Sequence, residues 1–180
     1  MTRSNRLARF AIISAAALSA ACSQMAPMHP MGPKAQAAMA PTQGNTAAGR
    51  VMFHQHGGQM MVMVRLSGLK PNAEHGFHIH EKGDCASGDG MGTGGHFNPT
   101  GKPHGPPTGE RHAGDLPALK ADANGKVDTS FAVAGISLGA GAGADVLGRG
   151  LIVHAGPDDY TTQPTGNSGA RIACGVIALQ

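Results

Sequence analysis

The chain has 180 residues, with 28 Gly, 12 Pro, no Trp and only 3 % aromatics. That composition excludes a large aromatic core, and it excludes a helical body, because each interior helical glycine costs roughly 1 kcal/mol. The formal net charge of +3 resides in Arg3, Arg6 and Arg9, in a segment expected to be removed, which leaves a near-neutral mature chain with no basic run and no nucleic-acid partner.

Taken in chain order, residues 1–21 read as an export signal. Three arginines precede an apolar stretch, residues 10–21, that is too short to span a membrane. Leu18-Ser19-Ala20-Ala21-Cys22 approximates a lipoprotein cleavage site, which makes Cys22 a lipidation candidate and a membrane attachment point. Ser19 stands where a large aliphatic is usual, and the alternative is ordinary cleavage that leaves a free thiol. The expected location is the periplasm or cell envelope.

Residues 22–34 form a low-complexity linker with Met25, Met28, His29 and Met31. Thioether and imidazole donors suit copper, Cu(I) above all. The plainer reading is a flexible Pro-rich spacer. Of the three cysteines, Cys22 ends the leader. Cys85 and Cys174 remain as the natural disulfide pair, in an oxidising compartment.

From residue 35 to 180 the pattern is that of one β-domain. Val51 and Phe53 alternate with Met52 and His54, Gly57-Gly58 signals a hairpin, and Met60, Val62, Val64 and Leu66 alternate with Met61, Met63 and Arg65. Residues 77–80 form a short strand, followed by a Gly- and Pro-rich stretch to about residue 117. Ala123-Asn124-Gly125 is a turn. Residues 127–133, 151–154 and 172–179 read as further strands, the last closing the chain. The glycine-rich run 136–144 argues against a helix. Short strands with long loops predict a sandwich or barrel.

Six of the ten histidines fall between His75 and His112. His78 and His80 share one strand face, so both can reach one metal, although a solvent-facing pair has the same pattern. His96, His104 and His112 follow at intervals of eight, with Asp115 three residues later. Three imidazoles and a carboxylate make a tetrahedral set suited to zinc, and a bound metal would order this long loop. Six potential ligands in two groups indicate two nearby metals.

Five segments resemble the copper/zinc superoxide dismutase family, in its exported bacterial form. They are Gly76-Phe77-His78-Ile79-His80-Glu81; Gly95-His96-Phe97-Asn98-Pro99 with His104-Gly105; Glu110-Arg111-His112-Ala113-Gly114-Asp115-Leu116; Gly148-Arg149 through Val153-His154; and Gly166-Asn167-Ser168-Gly169-Ala170-Arg171-Ile172-Ala173-Cys174-Gly175. They occur in the right order, and the resemblance covers roughly residues 35–180. The resemblance implies an eight-stranded Greek-key β-barrel. It implies copper on His78, His80, His96 and His154, and zinc on His96, His104, His112 and Asp115, with His96 bridging. It implies Asp158 as a carboxylate linking a copper histidine to a zinc histidine, Arg171 as the guide for the anion, and Cys85–Cys174 as the pin for the loop beside Arg171. The implied reaction converts superoxide to O2 and H2O2 by copper redox cycling, with His96 taking up a proton.

The interval from His154 to Arg171 holds no lysine, unlike the eukaryotic enzymes, so steering would fall to Lys82 or Lys102 or be weaker. The stretch between Cys85 and His96 is longer than in those enzymes and bears on whether the protein is a homodimer. The alternative function is a non-catalytic copper-binding or delivery protein of the same fold, and a copper donor protein is a further expected partner. On the 51–64 hairpin, His54, His56, Met61 and Met63 are expected to face outward. They would form either an extra copper-loading site or a dimer contact.

Overall fold

The computed structural model describes residues 32–56, 59–139, 141 and 143–180. The expected signal, Cys22 and all but the end of the Met/His linker lie outside the described residues, as does the Gly57-Gly58 turn. The described residues form ten strands and no α-helix: β1 (Lys34–Pro41), β2 (Ala48–His56), β3 (Gln59–Ser67), β4 (Glu74–His75), β5 (Phe77–His80), β6 (Leu119–Lys120), β7 (Val127–Val133), β8 (Gly150–His154), β9 (Arg171–Val176) and β10 (Ala178–Leu179). Seven line up in the order β5-β8-β9-β1-β2-β3-β7, with β10 paired to β1, to give one eight-stranded antiparallel sheet. Hairpin neighbours (β1-β2-β3 and β8-β9) alternate in this order with pairings between strands distant in sequence, β5 with β8, β9 with β1 and β3 with β7, the Greek-key habit. The sheet curls as a half-barrel, with β5 and β7 as its two ends. A two-stranded ribbon, β4 with β6, stands apart.

Alternation places the core. Val51 and Phe53 of β2, and Met60, Val62 and Val64 of β3, are all at most 1 % exposed. Their chain neighbours Met52, His54, Met61 and Met63 are not buried. β5 and β8 differ, because every residue in both is buried. Phe77 and Ile79 join the core cluster, and the histidines between them lie on the opposite face, which the long loop covers. A strand covered on both faces loses its polar/apolar alternation, and here buried imidazoles replace aliphatic side chains.

That loop continues the sheet at β5's otherwise free edge. Glu81 N donates to Gly95 O at 3.0 Å, Phe97 N to Ile79 O at 2.8 Å, and Ile79 N to Gly114 O at 2.9 Å. The loop also contains a 3-10 turn, Met91–Thr93. Arg149 clamps it from β8's side, with Cζ 3.7 Å from the Phe97 ring centroid and Nη1 donating to Glu81 O at 2.9 Å. The Cys85–Cys174 disulfide ties the start of the loop to β9, with Cα atoms 5.8 Å apart.

Three features depart from the sequence expectation. The closing segment 172–179 is not one strand. Ile177 turns inward, fully buried, and its N–H goes to Arg149 O, so β10 leaves β9 to pair with β1. β1 itself has a weak signal, because its core positions Ala35 and Ala37 are small and carry little strand propensity. The two-residue strands β4 and β6 are too short for any periodicity.

Gly114 shows how closely the loop is fitted. A Cβ there would lie 2.2 Å from Ile79 O and 3.0 Å from Phe97 N. Gly114→Ala must therefore push the loop off β5. The expected loss is about 1–3 kcal/mol, read as a lower thermal midpoint of the metal-free protein, and a midpoint equal to that of the parent would refute the close fit.

Candidate metal centre

Three elements bring the ligand-type side chains together. β5 contributes His78 and His80, whose register partners on β8 are Ile152 and Gly150. His154 ends β8, where a bulge shifts the register so that it faces Arg171, the first residue of β9. The loop supplies His96, His104, His112 and Asp115. Isolated bridges, His80 with His96 and His78 with Asp115, fix its height along β5.

The result is two quartets. His78, His80, His96 and His154 offer ligand atoms within 4.8 Å of one another, and so do His96, His104, His112 and Asp115. All seven residues are at most 5 % exposed, and His96 belongs to both sets.

Each ring of the first quartet has one nitrogen engaged and one free. His78 Nε2 is 2.7 Å from Asp158 Oδ2, His80 Nδ1 is 2.9 Å from Gly94 O, and His154 Nδ1 is 3.1 Å from Gly169 O. Their other nitrogens, His78 Nδ1, His80 Nε2 and His154 Nε2, are buried without a partner, and so is His96 Nε2. In the second quartet His96 Nδ1 lies 2.8 Å from Asp115 Oδ1. His104 Nδ1 and His112 Nδ1 lie 3.0 and 3.3 Å from Asp115 oxygens, yet neither is aligned for a hydrogen bond. Close approach without hydrogen-bond alignment is how lone pairs converge on a common cation. Unsatisfied buried nitrogens cost about 1–3 kcal/mol each, so both quartets fit metal ions. The four-imidazole set suits a borderline redox metal such as copper, and the N3O set suits zinc.

Asp158 spans the two sets. Its second oxygen is 2.8 Å from His104 Nε2, so one buried carboxylate orients a ring in each quartet. Hydrogen bonds from His104 and His78 outweigh burial and hold its pKa well below the usual carboxylate range. Asp115 is lowered likewise, by His104 and His96 against burial. Burial drives three histidines of the first quartet the other way, lowering His78 to about 4, His80 to about 2 and His154 to about 3. They are therefore neutral at physiological pH, with lone pairs available. Burial opposes charge on His104 too, but the adjoining carboxylates of Asp115 and Asp158 prevail and raise it to about 9.

Arg171 lies beside His80 and His154. Its guanidinium donates to Gly90 O, Thr93 Oγ1 and Gly94 O, each at 2.7 Å. It makes no salt bridge among the described residues, and Asp89 is the carboxylate whose charge it feels at longer range, so its charge is held in place without a direct ion pair. Lys102, by contrast, is 4.0 Å from Glu110. Several supporting groups carry no sequence signal. The carbonyls of Gly94 and Gly169 are backbone atoms. Gln163 clamps His104 by accepting from His104 N and donating to His104 O, both at 2.9 Å. Gly166 leaves room for the Asp158 bridge, since a Cβ there would lie 2.4 Å from His104 Nε2.

The family model for copper/zinc superoxide dismutase matches residues 47–177. The chain belongs to the copper/zinc superoxide dismutase family. Among curated relatives, Superoxide dismutase [Cu-Zn] 2 of Aquifex aeolicus is 40 % identical over 149 residues, covering 80 % of this chain and 86 % of that one. The superoxide dismutase-like protein YojM of Bacillus subtilis is 46 % identical over 121 residues, covering 64 % and 61 %. Two crystal structures share the dismutase fold seen here. A double mutant of a SOD-like protein from Bacillus subtilis has a TM-score of 0.72 at 39 % identity, covering 82 % of this chain and 98 % of that one. The clock protein EA4 has a TM-score of 0.74 at 38 % identity, covering 83 % and 96 %.

Two predictions arise from the site. Unfolded histidine titrates near 6.5, whereas His78, His80 and His154 fold with lower pKa values. Below 6.5 the unfolded state binds more protons, and stability falls with pH. His104 folds with a raised value, so its contribution is complete below 6.5 and is lost as pH rises to about 9. The metal-free protein is expected to be most stable near pH 6.5, and denaturant midpoints across pH will show this; a midpoint still rising through pH 9 contradicts it. Replacing Asp158 by Asn is expected to weaken retention of both metals by about 10–100-fold, measured by chelator competition on the folded protein.

Proposed function

We propose that the protein is a superoxide dismutase, with copper held by His78, His80, His96 and His154 and zinc by His96, His104, His112 and Asp115. Family membership and two adjoining buried quartets with unpartnered nitrogens support this assignment. Copper, when bound, supplies the Cu(II)/Cu(I) couple that superoxide disproportionation needs, and zinc supplies a redox-inert structural charge.

The chain's own groups do the rest. Arg171 attracts and orients the anion, since its charge is fixed next to His80 and His154 and is not spent on a direct ion pair. His96 presents one ring nitrogen to each quartet, which suits its Nε2 to hold a proton between half-reactions. Asp158 keeps His78 and His104 in fixed orientations. The arginine is the observation that separates an enzyme from a copper carrier of the same fold, because a carrier gains nothing from a guanidinium without a direct ion pair at the metal face. The leader further suggests a place in the cell envelope, with Cys22 as lipid anchor; fatty-acid labelling that survives Cys22→Ser would reject the anchor.

The full chain loaded with copper and zinc is expected to consume superoxide in stopped-flow decay, and His80→Ala is expected to abolish this. Arg171→Leu should lower the rate roughly tenfold or more and flatten its dependence on ionic strength. Copper-loaded protein that leaves superoxide decay at the background rate would make it a carrier.

A further inference from the structure

The outer face of the β2–β3 hairpin carries a second set of metal-ligating side chains, separate from the quartets. In the antiparallel register His54 faces Met61, and Met52 faces Met63. Directly opposed side chains have Cβ atoms about 4.5–5.5 Å apart, and diagonal neighbours remain within reach of long side chains. His54 and three thioethers can therefore converge on one point above the sheet.

All four point away from the core, since Val51, Phe53, Met60, Val62 and Val64 take the inward positions. Met61 is 40 % exposed, and the other three are half-buried. His54 Nε2 is nevertheless shielded from water and has no hydrogen-bond partner among the described residues. No aliphatic or aromatic side chain larger than alanine shares the outward positions of these two strands, where every large apolar group is a thioether.

The surroundings select the kind of ion. The flanking partners of this patch are Lys34 and Gln36 on β1 and Ser130 and Ala132 on β7. Across β1, β2, β3 and β7 the one carboxylate is Asp128, which faces Arg65 and pairs with it at 3.6 Å. A neutral sulfur and imidazole set without carboxylate offers little to a hard divalent ion and suits soft Cu(I). We propose that Met52, His54, Met61 and Met63 form a surface Cu(I) site on the sheet. It is independent of the catalytic reading, which concerns other residues.

The test uses the full chain with both quartets already filled by copper and zinc. Anaerobic titration with Cu(I) against a chromophoric Cu(I) chelator is compared for the parent, for M52L/M61L/M63L and for His54→Asn. Leucine keeps the volume, so the fold is expected to persist. The triple variant should bind one equivalent fewer, and His54→Asn should bind that equivalent more weakly. A variant lacking the linker donors Met25, Met28, His29 and Met31 should retain it. Silver(I), a diamagnetic mimic, should shift the methyl resonances of Met52, Met61 and Met63 in the unmodified protein. Equal Cu(I) uptake by the parent and the triple variant, or unshifted methyl resonances, would overturn the site. Unchanged uptake with loss of self-association would make the face a contact between subunits and overturn it equally.

Discussion

A dry volume containing six imidazoles and a carboxylate governs this structure. Each ring is tied at one nitrogen or crowded against Asp115, and water cannot reach the remaining nitrogens of His78, His80, His96 and His154. Neutral, they are unsatisfied; protonated, they would repel one another at ring separations of 4.0–6.4 Å. Cations resolve both problems at once. Burial thus does two things at His78, His80 and His154, because it keeps their lone pairs free of protons and it makes their emptiness costly. Much of the loop's order serves to build that volume on an otherwise open sheet edge.

The fold was partly legible from residues alone. β2, β3 and β7 follow alternation, and their boundaries follow their turns. β5 and β8 could be placed as strands, but their burial on both faces depends on a loop that carries no periodicity. β1 was obscured by alanines, and the break at Ile177 arises from a tertiary hydrogen bond to Arg149. Local pattern cannot report such choices.

Six donors, His78, His80, His96, His104, His112 and Asp115, were legible as rare side chains at unusual spacing, His154 was implied by the family resemblance, and all seven do lie together. What holds them was not legible, because it is mostly backbone or absence. Two glycine carbonyls orient His80 and His154, and a missing Cβ at Gly166 admits the Asp158 bridge. Gln163 looks like any polar loop residue until its side chain is seen closing on both backbone groups of His104.

The disulfide has a consequence for when the protein becomes competent. Cys85 opens the segment whose Gly90, Thr93 and Gly94 oxygens hold Arg171, and Cys174 sits three residues beyond that arginine on β9. A chain still in a reducing compartment would carry every metal ligand but lack the covalent tether that sets the guanidinium's height over the histidines. Oxidation would then act as a maturation checkpoint. It would couple the arrangement of the Arg171 charge to formation of the Cys85–Cys174 bond.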